Sequence, residues 1–229
     1  MNKRAVLLLS GGMDSTTLLG KLLLEGWKVS PVLIDYNQKH SVELICAQNI
    51  IKEYQRRGAS VQNAKMLSLD LGQIGGSALL DAETAVPDNM QEQIKTVVPF
   101  RNMLMTTLAA SYAGTKGITD VFITPVREDF EVYRDCRLAF FESLSTTLSL
   151  GAVDDKKVTV HTPYIFTWKK DIIKWGLANN VPYNLTHSCY KGAQPACGEC
   201  PACRERLVAF KENGVPDAIP YAKIPEVLV

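Results

Sequence analysis

Apolar positions fall along the chain in two kinds of block. An unbroken apolar run occupies residues 5–9, the signature of a strand buried on both faces, and the more mixed stretches 28–35 and 61–67 read as a second and a third strand. Between them the spacing turns helical. Residues 15–25 place Leu18, Leu19, Leu22 and Leu23 on one stripe and stop at Gly26, and residues 41–58 form a second helical stretch. Strand–helix–strand–helix–strand predicts an α/β fold, a doubly wound parallel sheet covered on both faces. Residues 71–96 have turn and small residues and little period, so they read as a long loop, a type that often serves as a lid or binding loop. The pattern then resumes with a helix over 101–113, a strand over 120–124, a helix over 138–151, a strand edge over 158–161 and a helix over 169–179. After Pro182 the character changes: residues 187–204 are rich in Cys, Gly and Pro, 204–213 read as a short helix, and the tail is punctuated by prolines. The expected division is an α/β domain over 1–180 and a small subdomain over 181–229.

Composition narrows the class. A chain of 229 residues with 46% hydrophobic and 21% charged residues is ordinary for a globular protein. A net charge of +1 gives no global field for nucleic acid or membrane, so neither is expected as a partner. The apolar run in MNKRAVLLLSGG flows into a glycine turn and an amphipathic helix, so it reads as a first strand rather than a signal peptide, and the chain reads as cytoplasmic.

The first candidate chemistry lies where that strand ends. Ser10, Gly11, Gly12, Met13, Asp14, Ser15 and Thr16 follow the run, at the carboxyl end of a parallel strand where α/β proteins bind ligands. Glycines allow backbone N–H groups to approach an anion, the next helix points its positive end there, and the hydroxyls add donors. The lysine of a Walker loop is absent. Asp14 would repel a phosphate unless a divalent cation lay between them, which points to Mg²⁺.

The second candidate is Cys189, Cys197, Cys200 and Cys203, four of six cysteines, in the spacing C-x7-C-x2-C-x2-C. Four thiolates on one knuckle suit one closed, structural Zn²⁺ per chain, with an iron–sulfur cluster as the rival.

The string SGGMDS resembles the pyrophosphatase loop of the ATP-pyrophosphatase superfamily. Together with SCYKGAQPACGECPACRER it resembles the 7-cyano-7-deazaguanine synthase family. IDYNQKHSVE, VVPFRNMLMTTLAASYA, YRDCRLAFFESL and TPYIFTWKKDIIKWG resemble further segments of that family, in order along nearly the whole chain. The resemblance implies an ATP-dependent ligase. The carboxylate of 7-carboxy-7-deazaguanine is adenylated, ammonia attacks to give the amide, and a second ATP carries the amide to the nitrile. It implies ATP with Mg²⁺ against Leu8, Leu9, the loop 10–16 and Tyr36. Asp14, Arg101 and Lys169 would be the catalytic groups, and Arg101, Asn102, Asp135, Cys136, Arg137 and Tyr190 would meet the deazaguanine. Cys136 also suits a plain core position, and His40 suits a loop-orienting role as well as a ligand contact. A homodimer is implied, with the cysteine subdomain packed on the active site.

The chain leaves the family pattern at a few places. Phe100 and Asn37 replace glycines, Lys39 replaces an arginine, His187 replaces a tryptophan, and TPVREDFEVYRDCR loses a Ser-Gly to Glu131 and Val132 and a proline to Arg134. Phe100 and the 127–134 segment are expected where substrate and amine meet. An alternative outcome is therefore an amide formed with another amine, such as the N-terminus of a partner protein. A transfer-RNA thiolation enzyme and a non-catalytic zinc-knuckle module are the other classes. The low net charge and the four-cysteine knuckle speak against the first, and the retained Asp14 and loop serines against the second.

Overall fold

The apolar runs become strands because both of their faces are covered. The computed structural model describes residues 3–152 and 157–225. Its five strands are β1 (Arg4–Leu8), β2 (Lys28–Asp35), β3 (Lys65–Ser68), β4 (Asp120–Phe122) and β5 (Thr159–His161). They form one parallel sheet in the order β3-β2-β1-β4-β5. Six helices wrap it: α1 (Met13–Leu24), α2 (Val42–Arg56), α3 (Arg101–Thr115), α4 (Leu138–Leu150), α5 (Lys169–Ala178) and α6 (Pro201–Glu212). Successive residues of β1 divide between two cores, as strand geometry requires. Ala5 and Leu7 pack with Leu18, Leu19, Ile50 and Ile172 of α1, α2 and α5. Val6 packs with Ala109, Ala110 and Ala113 of α3. The chain moves outward from β1 to β3, then returns to β4 on the other side of β1, so a crevice opens at the carboxyl ends of β1 and β4.

Several boundaries differ from the pattern-based reading. The third strand begins at Lys65, not at 61. Val61 makes only an isolated bridge to Val29, and the polar Gln62 and Asn63 follow before the ladder resumes at Val32–Lys65. The first helix starts at Met13, with Gly12 as its N-cap, which places Asp14 and Ser15 in its first turn. Helix α6 starts at Pro201, inside the cysteine segment, because proline suits the first helical position. Residues 71–96 are not an open loop. Leu71, Ala78, Leu79 and Val86 are buried, and Leu71–Gln73 and Gln93–Thr96 are short 3-10 turns.

The C-terminal region shares the main core: Cys189, Cys197, Cys200 and Cys203 pack in the same apolar cluster as Val6 and Val121. Arg206 of α6 is 0% exposed and gives two bonds to Asp217, at 2.6 and 2.8 Å. It also donates to Thr186 Oγ1 at 2.6 Å and to the Tyr183 carbonyl at 3.2 Å, clasping the tail and the 183–188 segment to α6. No helix among the described residues is long and apolar enough to cross a membrane.

Candidate active site

The loop after β1 is built from two glycines that do different work. Gly11 has φ +86°, and a Cβ there would run into the Glu43 carbonyl and lie 2.9 Å from the Ala47 N of α2. It lets the loop cross the backbone of α2. Gly12 is extended, with φ −78°, and faces the crevice. The Ser10 and Ser15 hydroxyls meet at 3.0 Å, Ser10 Oγ accepts the Gly12 N–H at 3.2 Å, and Thr16 donates its hydroxyl to the Gly12 carbonyl at 2.7 Å. From the far end of the chain, the His187 N–H donates to the Gly11 carbonyl at 3.0 Å. The free N–H groups of the first turn of α1 therefore open onto the crevice, an arrangement that receives anions.

The crevice encloses about 250 Å³. Residues 8–10 and 12–15 line it, as do Tyr36, Arg101, Asn102, Cys136, Lys169 and Tyr190. Four expected ligand residues do not. Gly11 turns toward α2, and Thr16 is buried in α1 with its hydroxyl bonded back to Gly12. Asp135 is drawn to the start of α3, where its Oδ2 accepts the Asn102 N–H at 3.2 Å. Asn102 in turn donates to the Asp135 carbonyl at 3.3 Å and to Cys136 Sγ at 3.2 Å. Arg137 is exposed and gives both bonds to the Phe130 carbonyl, at 3.3 and 3.2 Å. Phe100 likewise lies outside the crevice. It is the left-handed N-cap of α3, with φ 56°, and its side chain is 67% exposed. Asn37 is also left-handed, at φ 66°. Both residues stand where the resembled family has glycine, and the backbone conformation accounts for that glycine.

Two cations line the same crevice as the loop. Burial disfavours the Lys169 charge, but Glu205, Asp129 and Asp14 hold its pKa well above the ordinary value. Its Nζ donates to Glu205 Oε2 at 2.7 Å, and its backbone N–H donates to Glu128 Oε1 at 2.8 Å. Arg101 is also held above its ordinary pKa: burial opposes the charge, and the oxygens of Tyr36, Tyr133 and Tyr190 offset it. Asp14 is the odd member. Burial pushes its pKa up to about 7, and its Oδ1 has no hydrogen-bond partner. A buried carboxylate oxygen left unpaired beside an anion-receiving loop fits a divalent cation.

On the Tyr36 side, burial raises Glu43 to about 8 and lowers His40 to about 3, with Arg101 also opposing the His40 charge. Glu43 accepts from Gln38 Nε2 at 3.1 Å, and His40 Nε2 meets the Tyr36 hydroxyl at 3.2 Å. His187 is 6% exposed, lines the crevice and has an unpartnered Nε2.

Sequence reasoning assigned no role to Glu43, Asp129, Tyr133 or Glu205, all of which line the crevice. All four lie inside the motif segments already quoted, but nothing in their spacing shows which way they face.

The four sulfurs of Cys189, Cys197, Cys200 and Cys203 lie within 4.8 Å of one another, all buried. Backbone N–H groups of Cys197 and Cys200 point at Sγ of Cys189 and Cys197, at 3.4 and 3.3 Å. Four converging sulfurs with amide donors around them fit one metal centre with every position filled by protein.

Residues 4–214 match the family described as queuosine biosynthesis protein QueC. A 7-cyano-7-deazaguanine synthase of Clostridium kluyveri is 40% identical over 226 residues, 96% of this chain and 98% of its own. That of Thermoplasma volcanium is 41% identical over 233 residues, 99% of this chain and 94% of its own. That of Methanoregula boonei is 41% identical over 222 residues, 95% and 99%. Among solved structures, a U34-tRNA thiolase NcsA from Methanococcus maripaludis, determined with its 4Fe–4S cluster, superposes with TM-score 0.51 at 15% identity. It spans 93% of this chain and 66% of that one, a likeness of fold alone.

Proposed function

The chain belongs to the QueC family of queuosine biosynthesis proteins, and on that premise we propose that it makes 7-cyano-7-deazaguanine from 7-carboxy-7-deazaguanine, ammonia and two ATP. The carrying observation is the crevice itself, which an anion-receiving loop shares with two cations, the half-buried Arg101 and the buried Lys169.

The chemistry follows from those groups. A carboxylate is a poor electrophile, and transfer of AMP to it gives a good leaving group while releasing pyrophosphate. The loop N–H groups and the hydroxyls of Ser10 and Ser15 hold the departing pyrophosphate. Arg101 and Lys169 offset the charge that gathers between the two anions as they are brought together. Asp14 would hold Mg²⁺, which supplies charge neutralisation at the phosphates when bound. Tyr190, Asn102 and Cys136 form the wall that beds the deazaguanine, with Tyr190 stacking on the ring. Ammonia attacks the acyl carbon, AMP leaves and a proton is lost, giving the amide. A second transfer of AMP to the amide oxygen releases pyrophosphate again, and loss of AMP and a proton leaves the nitrile. The sulfur cluster would hold Zn²⁺ as a structural ion, with Cys200 and Cys203 fixing the start of α6 and thereby Glu205. Four buried, unbridged thiols suit a reducing compartment, the cytoplasm.

The relatives named above bear the name of the nitrile-forming enzyme, and none of those names points to joining the acid to a protein amine. Incubation with ATP, Mg²⁺, ammonium and the carboxy-deazaguanine, followed by mass spectrometry, tests the proposal. The expected products are the nitrile, AMP and pyrophosphate, and AMP release with the amide as the final product would refute the nitrile step. Metal analysis by mass spectrometry is expected to return one zinc per chain and no iron.

A further inference from the structure

The 71–96 stretch has so far supplied only packing, yet its inner end reaches the catalytic lysine. Gln93 is 4% exposed and gives its Nε2 to Glu205 Oε1 at 3.2 Å. The other oxygen of that carboxylate takes the Lys169 Nζ at 2.7 Å. One carboxylate thus joins three elements that are far apart in sequence: the Gln93–Thr96 turn, α5 and α6. The turn is itself held. Thr96 Oγ1 donates to the Gln93 carbonyl and meets the Tyr133 hydroxyl, both at 2.7 Å, and the Lys95 carbonyl accepts the Ala78 N–H at 2.8 Å.

We propose that Glu205 is a positioning residue for Lys169, and that Gln93 fixes Glu205 so that the lysine is aimed at the loop after β1. An ammonium has three N–H donors. The one given to Glu205 sets the direction of the side chain and leaves two for the nucleotide. Without Gln93 the carboxylate is free to rotate, and Asp14 and Asp129 compete for the ammonium. The inference rests on the reading that ATP phosphates occupy the crevice.

The test is a double-mutant cycle on the full chain, read as calorimetric affinity for Mg²⁺·ATP. Q93L is close in volume and changes no charge, so any coupling to K169M passes through geometry. K169M is expected to weaken binding about tenfold in the wild-type background and less than about threefold in the Q93L background. Equal losses in both backgrounds overturn the proposal. Thermal melting checks that each variant folds, and Q93M replaces Q93L if that variant melts early. A wild-type chain that binds Mg²⁺·ATP but makes no nitrile refutes the proposed function and leaves the cycle readable. A chain that binds no Mg²⁺·ATP overturns both.

Discussion

Replacing Gly11 and Gly12 separately by alanine should damage different properties. At Gly11 the backbone is left-handed and the new methyl meets the Glu43 carbonyl, with the Ala47 N at 2.9 Å and the Glu43 carbonyl carbon at 3.1 Å. Those atoms belong to the backbone of α2 and cannot rotate away. The left-handed conformation costs about 1–2 kcal/mol for an L side chain. Overpacking against a fixed neighbour adds about 1–3 kcal/mol. The sum of roughly 2–5 kcal/mol is a large share of the about 5–15 kcal/mol that holds a typical domain. It should lower the melting temperature by roughly 5–15 °C. At Gly12 a methyl meets only the Ser10 hydroxyl at 3.3 Å and the His187 carbonyl at 3.7 Å, and the backbone is already extended. Stability should fall by less than about 1 kcal/mol. If the loop receives the phosphates as proposed, the methyl projects where their oxygens approach, so Mg²⁺·ATP affinity should fall at least about tenfold. Urea unfolding and calorimetric titration of both variants decide the matter. If G11A unfolds within about 1 kcal/mol of wild type, or G12A binds the nucleotide undiminished, the division of labour is wrong.

Three further outcomes follow from the geometry. Arg206→Met should cost about 3–5 kcal/mol in urea unfolding, because it strands a buried Asp217 carboxylate; Arg206→Lys should not restore the loss, since one ammonium cannot reach both Asp217 oxygens, Thr186 and the Tyr183 carbonyl. Phe100→Gly removes left-handed strain of about 1–2 kcal/mol against a glycine entropy loss of about 0.5–1 kcal/mol, so stability should hold or rise slightly and turnover should not change; a drop in turnover beyond threefold would place Phe100 against the substrate after all. His40 binds protons more weakly in the fold, with its pKa near 3 against 6.5 in the open chain, so its contribution to stability is intact above pH 6.5 and erodes as pH falls below it. Its imidazole carbon signals should stay constant in NMR from pH 8 to 5 and the acid limb should flatten in H40Q, whereas a midpoint near 6 would falsify the buried neutral state.

The parts legible in the sequence were those whose atoms are neighbours in the chain. The loop 10–16 and the CxxCxxC knuckle carry their geometry within a few residues, so spacing alone revealed them. Strand β1 announced itself through the unbroken apolar run 5–9, and β2 through Val32, Leu33 and Ile34, all buried, although Lys28, Ser30 and Asp35 interrupt its pattern. Strand β3 was misplaced because it is an edge strand with little burial on either face: Lys65 and Met66, which point to opposite sides, are both exposed, and the apolar Val61 lies outside the ladder. Glu205 and Gln93 were invisible for a different reason. Each looks like an ordinary surface residue until α6 and the 93–96 turn are folded onto α5. The Asp-Cys-Arg triplet shows the opposite failure: its motif was recognised, but only Cys136 faces the crevice, since Asp135 is bonded to the start of α3 and Arg137 to a carbonyl in the preceding turn.

The bond from the His187 N–H to the Gly11 carbonyl has a consequence for how the protein is made. The loop after β1 leaves the ribosome long before His187, the residue that braces it. At about 5–20 residues per second, the N-terminal half waits on the order of ten seconds or more for that brace. Until then the early βαβ unit lacks one of the bonds that hold the loop in its finished form. A stalled nascent chain that ends before the cysteine knuckle should leave the loop after β1 more open to protease than it is in the full chain, and release of the full chain should close it.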